Sequence, residues 1–180
     1  MTAEAPSVAS VPGALLHVGC GYSPLPDFLS FLNYSETRLD IDPRCKPDVV
    51  ASMTDLGDIG TFDLVFSHHS LEHLAPHDVG VALKEFCRVL KPNGATLVFV
   101  PDLEGVEPTD EVLFVSPAGP IAGLDLYYGL RSALLDQPYM AHRTGFVSNT
   151  LRAALESAGF ARVVIQRLPD HNLLAIGYVQ

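Results

Sequence analysis

The chain has no tryptophan and only three cysteines, Cys20, Cys45 and Cys87, scattered through 180 residues. No Cys-x-x-Cys pair occurs, which argues against a zinc ribbon and leaves no disulfide framework. A reducing, cytoplasmic setting fits that usage. Basic side chains are also scarce, eleven Lys and Arg against twenty-one acidic residues, for a net charge of −10. No run of Lys or Arg announces a nucleic-acid groove, and an acidic surface disfavours polyanions and anionic membranes. Small neutral or cationic substrates suit it better. No uninterrupted apolar run approaches the roughly 20 residues that span a bilayer, so no membrane segment is expected. The first twelve residues carry Glu4, two prolines and no basic cluster, unlike a signal peptide. They read as a flexible tail over 1–12, before a single domain over 13–180.

What the chain does have is alternation. Residues 14–18 are mostly apolar and stop at Gly19-Cys20-Gly21, as a buried strand does on entering a tight turn. Ser23 is placed to cap a helix with Pro24 and Pro26 in its first turn and Phe28, Leu29, Phe31 and Leu32 on its apolar face. Strands are expected near 37–41, 48–51, 62–67 and 95–100. Between the last two, Val79, Ala82, Leu83, Phe86, Val89 and Leu90 recur at spacings of three and four, and Lys91-Pro92-Asn93-Gly94 stops that helix. Ser148 is placed to cap a further helix with Leu151, Ala154, Leu155 and Ala158 inward and Gly159 at its end. Two final strands, 161–167 and 173–179, flank Pro169-Asp170-His171-Asn172, a turn too short for a parallel crossover. The order implies a parallel sheet covered on both faces, closed by an antiparallel strand. Residues 103–146, rich in glycine and proline, form the irregular part, on the side where open α/β sheets bind ligands.

Several motifs then fall in sequence. His17-Val18-Gly19-Cys20-Gly21 follows strand one, and Leu39-Asp40-Ile41-Asp42-Pro43 ends strand two. Phe62-Asp63-Leu64-Val65 leads to Ser70-Leu71-Glu72-His73-Leu74. Glu85-Phe86-Cys87-Arg88-Val89-Leu90-Lys91-Pro92-Asn93-Gly94 leads into strand five. Over roughly residues 14–101 this series resembles the class I S-adenosylmethionine-dependent methyltransferases, especially the type 11 small-molecule branch. The resemblance implies a Rossmann-like doubly wound sheet of about seven strands, order 3-2-1-4-5-7-6, with strand seven antiparallel. It also implies S-adenosylmethionine as cofactor and methyl transfer to a small molecule as activity.

By that resemblance Gly19, Cys20 and Gly21 line the methionine part of the cofactor, with the next helix presenting its free amides to the carboxylate. Asp40 accepts the ribose hydroxyls, beside Ile41, and a slip of one residue in alignment exchanges it with Asp42. Ser52 and Met53 bracket the adenine, and Ser67 and His68 lie near the sulfonium. Two positions depart from the family: His17 replaces an acidic residue, and Ser23 replaces the third glycine. Pro24 also breaks the Gly-x-Gly-x-x-Gly pattern of dinucleotide sites.

The 103–146 segment is read either as a substrate lid or as a loop packed over the sheet, and its aromatics would equally suit a homodimer contact. Asp125, Tyr128 and His142 are its candidate substrate contacts. His142 is the first choice for a catalytic base, followed by His68. His69, His73 and His77 repeat every four residues, but Pro76 interrupts them and no carboxylate completes a metal set in the sequence pattern, so no metal is expected. Two rivals stand beside methyl transfer. One is a non-catalytic Rossmann-like binding or regulatory protein that has lost the cofactor; the other, disfavoured by the glycine pattern, is an NAD-linked oxidoreductase.

Overall fold

The structure, a computed structural model, describes residues 12–180; all but the last residue of the expected tail lies outside them. Seven strands form one sheet in the order β3-β2-β1-β4-β5-β9-β8. They are β1 (Gly13–Val18), β2 (Tyr34–Asp40), β3 (Val49–Val50), β4 (Phe62–His68), β5 (Leu90–Pro101), β8 (Arg162–Leu168) and β9 (Asn172–Tyr178). The first five pair in parallel; β9 runs antiparallel between β5 and β8. This is the expected order, with β9 as strand seven and β8 as strand six. Asp170 (φ 58°) and His171 (φ 52°) give the β8–β9 turn two successive left-handed residues, which keeps the hairpin tight.

The two faces are covered unequally. Leu16, Val18, Val65, Val98, Val100 and Ala175 face two long helices, α2 (Pro76–Arg88) and α4 (Ser148–Ala158). Those helices contribute Val79, Leu83 and Phe86, then Leu151 and Leu155, as their three- and four-residue spacing dictates. The opposite face, Leu15, Leu64, Phe66 and Phe99, meets chiefly Leu29 and Leu25. The expected helix there is a single turn, α1 (Asp27–Ser30), and Pro26 rather than Ser23 stands at its N-cap. Of the apolar face assigned to it only Leu29 is buried, while Phe31 is 87% exposed. Prolines at 24 and 26 hold residues 23–26 extended, so too little chain remains before β2 for a second turn.

Smaller boundaries also move. The α2 helix begins at Pro76, and the assigned strand β5 takes in the Lys91–Gly94 stop signal after a register shift against β4. Val147, not Ser148, is the N-cap of α4, where the Thr150 hydroxyl accepts the Val147 amide at 3.1 Å.

The 103–146 segment is more ordered than its composition suggests. It contains a hairpin of β6 (Val112–Ser116) and β7 (Gly119–Ala122), followed by the short helix α3 (Gly123–Tyr128). Gly129 then passes so close to Met140 that a Cβ would lie 2.1 Å from its carbonyl oxygen. Among the described residues no helix is long and apolar enough to cross a membrane.

Candidate functional site

Strand order reverses between β1 and β4, and the loops leaving their carboxyl ends form the crevice typical of open α/β sheets. Its floor is the glycine turn. Gly19 has φ 65°, and a Cβ there would stand 2.4 Å from Ser70 Cβ, so both backbone conformation and space demand glycine. A Cβ at Gly21 (φ 49°) would meet nothing, which leaves open room above the turn. Cys20 is buried, and burial pushes its thiol up to about 11, so it is no nucleophile.

The turn is held by its neighbours in β2. The amides of Gly19 and Cys20 donate to Leu39 O at 2.8 and 3.2 Å, and that of Ser23 donates to Cys20 O. Asp40, 9% exposed, accepts from the Gly21 amide through Oδ2 (2.8 Å) and from the Asp42 amide through Oδ1 (2.9 Å). Each of its oxygens therefore keeps a further lone pair. Asp42 is committed elsewhere, chelating the Arg44 guanidinium at 2.7–2.9 Å. The geometry thus distinguishes two acids that alignment alone could exchange. Ile41 is 53% exposed at the crevice edge, and the Met53 methyl reaches within 3.7 Å of where a Gly19 Cβ would stand. Ser52 bonds Thr54 Oγ1 at 2.7 Å and shapes that turn.

Sequence reasoning missed what surrounds His17. This ring is buried, with Nδ1 2.7 Å from Glu36 Oε1, and Glu36 also pairs with Arg38 at 3.3 Å. Arg38 donates to Gly21 O and Ser23 O, both at 2.9 Å, clamping the glycine turn. Glu36 and Arg38 alternate along β2 beside His17 and are in register with Leu15 and His17 of β1. That alternation was the available signal. Ser23 is exposed and closes the turn, so it does not crowd the crevice floor.

The amides of Gly19, Cys20 and Gly21 are bonded to Leu39 and Asp40 of β2, and α1 begins six residues after Gly21. Ser67 is fully buried and bonded to Ser70 Oγ at 2.6 Å, so its hydroxyl braces the turn from beneath.

His68, at the end of β4, is solvent-facing but ringed by Phe66, Phe99 and His69. Desolvation pushes it down to about 4, which makes it a neutral wall and a weak base. Glu72 follows in a short 3-10 turn and is 1% exposed. Its Oε1 accepts from His69 Nδ1 at 3.2 Å, whereas Oε2 has no partner. Burial alone would raise the Glu72 carboxyl, but His69, with His73 and His142 behind it, holds it below the usual value. Residues 141–144 lie across this turn. The amides of Arg143 and Thr144 donate to Glu72 O, and the Thr144 hydroxyl donates to Leu74 O.

That docking places His142 beside His73, ring centroids 5.1 Å apart. Its Nδ1 donates to Leu126 O at 2.9 Å, leaving Nε2 bare and 4.0 Å from Glu72 Oε1. Burial lowers its pKa against the pull of Glu72, so the ring is neutral near pH 7. Glu72, His73 and His142 have donor atoms all within 4.8 Å of one another. The carboxylate that the histidine repeat lacked in sequence is therefore present in space, and His77 of that repeat points to solvent. Asp125 accepts from Ala122 N and from Arg131, so both oxygens serve its own segment; Tyr128 is 58% exposed. A cavity of about 360 Å³ lies farther along the same sheet edge, lined by Asp102, Leu113, Phe114, Arg167 and His171 among others.

Residues 16–98 match the family described as methyltransferase domain. No curated protein sequence matches the chain. Among solved structures, it is similar to the 1,6-didemethyltoxoflavin-N1-methyltransferase of Burkholderia thailandensis, with bound 1,6-didemethyltoxoflavin and S-adenosylhomocysteine. That similarity is 19% identity over 94% of this chain and 72% of that one, with a TM-score of 0.62. An S-adenosylmethionine-dependent methyltransferase of Mesorhizobium loti is 15% identical over 95% of this chain and 93% of its own, with a TM-score of 0.65. One from Archaeoglobus fulgidus is 14% identical over 93% and 86%, with a TM-score of 0.65.

Proposed function

We propose that this chain transfers a methyl group from S-adenosylmethionine to a small-molecule acceptor, a reading that the methyltransferase-domain match over residues 16–98 supports. The observation that carries the reading is Asp40 at the β1/β4 crevice: a buried carboxylate, fixed by two backbone amides, with a lone pair left on each oxygen. A pair of ribose hydroxyls is the donor set that matches it. Gly21 leaves open room beside the turn, and Met53 and Ile41 offer apolar contact to a base.

The cofactor supplies a sulfonium methyl already activated for in-line displacement. The chain's part is to align the acceptor, exclude water and take a proton where the accepting atom carries one. His142 suits the last task, since its Nδ1–H is tied to Leu126 O and Nε2 keeps its lone pair. His68, at the exposed end of β4, serves as a wall and hydrogen-bond acceptor. Tyr128 lies on the helix that the His142 ring bonds to, and we assign it to the acceptor side. The heterocycle held by the Burkholderia thailandensis enzyme supports a small-molecule acceptor, as does the net charge of −10. The unpaired cysteines support a reducing, cytoplasmic setting, and the exposed aromatics of 103–146 a homodimer contact.

A second reading rests on the thin cover over the crevice, α1 being one turn: a binding protein without catalysis. Calorimetric titration with S-adenosylmethionine, S-adenosylhomocysteine and NAD, followed by an assay for S-adenosylhomocysteine release with candidate acceptors, separates the readings. Methyl transfer requires binding of the first two ligands. Binding of NAD alone overturns it, and binding of none favours the second reading.

A further inference from the structure

The Glu72 carboxylate is buried among three histidines, of which only His69 is hydrogen-bonded to it. Glu72 is 1% exposed; one of its oxygens is held by His69, and the other, Oε2, has no hydrogen-bond partner. Leaving a buried carboxylate oxygen unsatisfied is costly, so a partner belongs there. His142 presents a bare Nε2 to the same space, because its Nδ1 must carry the proton that bonds Leu126 O.

His73 has a related deficit. Its Nδ1 lies 3.2 Å from Ala141 O and its Nε2 3.1 Å from His69 O. A neutral imidazole has one N–H, so one of these contacts sets a nitrogen lone pair against a carbonyl oxygen. A carboxylate oxygen of Glu72 and one ring nitrogen each of His73 and His142 thus lie within 4.8 Å of one another.

We propose that Glu72, His73 and His142 form a binding site for one divalent transition-metal cation. Two imidazoles and a carboxylate favour zinc and its first-row neighbours over magnesium or calcium, which take oxygen ligands. Zinc ligand atoms about 2.1 Å from the ion stand roughly 3.4 Å apart in a tetrahedron, so these side chains need close by only about an ångström. The ligating side chains have outer partners that orient them: His142 bonds Leu126 O, and the Glu72 carboxylate accepts from His69. Three protein ligands leave a fourth position for water or a donor atom of a bound molecule. The site lies beside His68 and His69 and stands whether or not the crevice takes S-adenosylmethionine, but a cation on His142 Nε2 takes the lone pair that a catalytic base needs, so the two roles of His142 exclude each other.

The test uses the full chain, stripped by a chelator, dialysed against Zn²⁺ and analysed for bound metal, with Co²⁺ as an absorbing probe and Mg²⁺ as a comparison. One equivalent of Zn²⁺ per chain is expected, with a rise in Tm and no matching retention of Mg²⁺. Glu72→Gln and His142→Ala should each weaken binding at least tenfold, while His77→Ala, on the solvent-facing histidine, should leave it unchanged. A folded wild-type chain that retains no Zn²⁺ or Co²⁺ overturns the site. So does undiminished affinity in His142→Ala, or loss of binding in His77→Ala, which would mark an adventitious surface site. Should Glu72→Gln fail to fold, the wild-type stoichiometry and His142→Ala decide.

Discussion

Gly19 is constrained twice, by a φ of 65° and by Ser70 Cβ standing 2.4 Å from where its own Cβ would be. Relief of one constraint does not relieve the other. Gly19→Ala should therefore lose about 2 kcal/mol or more in urea unfolding, whereas Gly21→Ala, with open space around it, should lose less. At the same scale, burial depresses the pKa of His17 below its ordinary 6.5, against the pull of Glu36. A histidine whose folded pKa is lowered stabilises fully above 6.5, and that stability is lost as pH falls towards the folded value. One proton sets the ceiling on the slope at about 1.4 kcal/mol per pH unit. Urea midpoints measured between pH 7.5 and 5 should thus fall more steeply for the wild type than for His17→Gln. Equal slopes would mean that His17 titrates alike in both states. Neither residue was opaque in sequence: the turn at Gly19 was legible from an apolar run ending in glycine. The partners of His17 are less legible, because Glu36 and Arg38 stand on the neighbouring strand and meet it only through the β1–β2 register.

At the scale of elements, legibility followed periodicity. The α2 and α4 helices could be located because their apolar residues recur over three turns, and α4 ends at Gly159 with φ 109°. The sequence predicts a longer α1 than forms, because Phe28, Leu29, Phe31 and Leu32 mimic an amphipathic turn while two prolines upstream delay its start. Truncations should expose the difference. Leu155→Ala, at a fully buried position, should cost about 2–5 kcal/mol in denaturant unfolding. Phe31→Ala, at 87% exposure, should stay within about 0.5 kcal/mol of wild type. A large loss at Phe31 would show that α1 buries more in solution than its single turn allows. The β6–β7 hairpin is hidden in the sequence because Ser116-Pro117-Ala118-Gly119-Pro120 reads as loop, although only Pro117 and Ala118 lie between the two strands.

For the whole molecule, the strand order could be read from the sequence because alternating elements and right-handed crossovers leave few topologies. The meeting of Glu72 with His142 could not. They are seventy positions apart and belong to segments that local pattern does not connect, and only docking of 141–144 across the Glu72 turn joins them. Asp40 belongs to both scales: its position at the end of β2 was visible in Leu-Asp-Ile-Asp-Pro, and its freedom to bind appears only when Asp42 is seen held by Arg44. The most direct test of the account is the affinity of the chain for S-adenosylmethionine, compared calorimetrically with that of Asp40→Ala after circular dichroism confirms that both are folded. The account predicts one site per chain and at least a tenfold loss in the variant, or about 1.4 kcal/mol. Equal affinities, or no binding by the wild type, would contradict it.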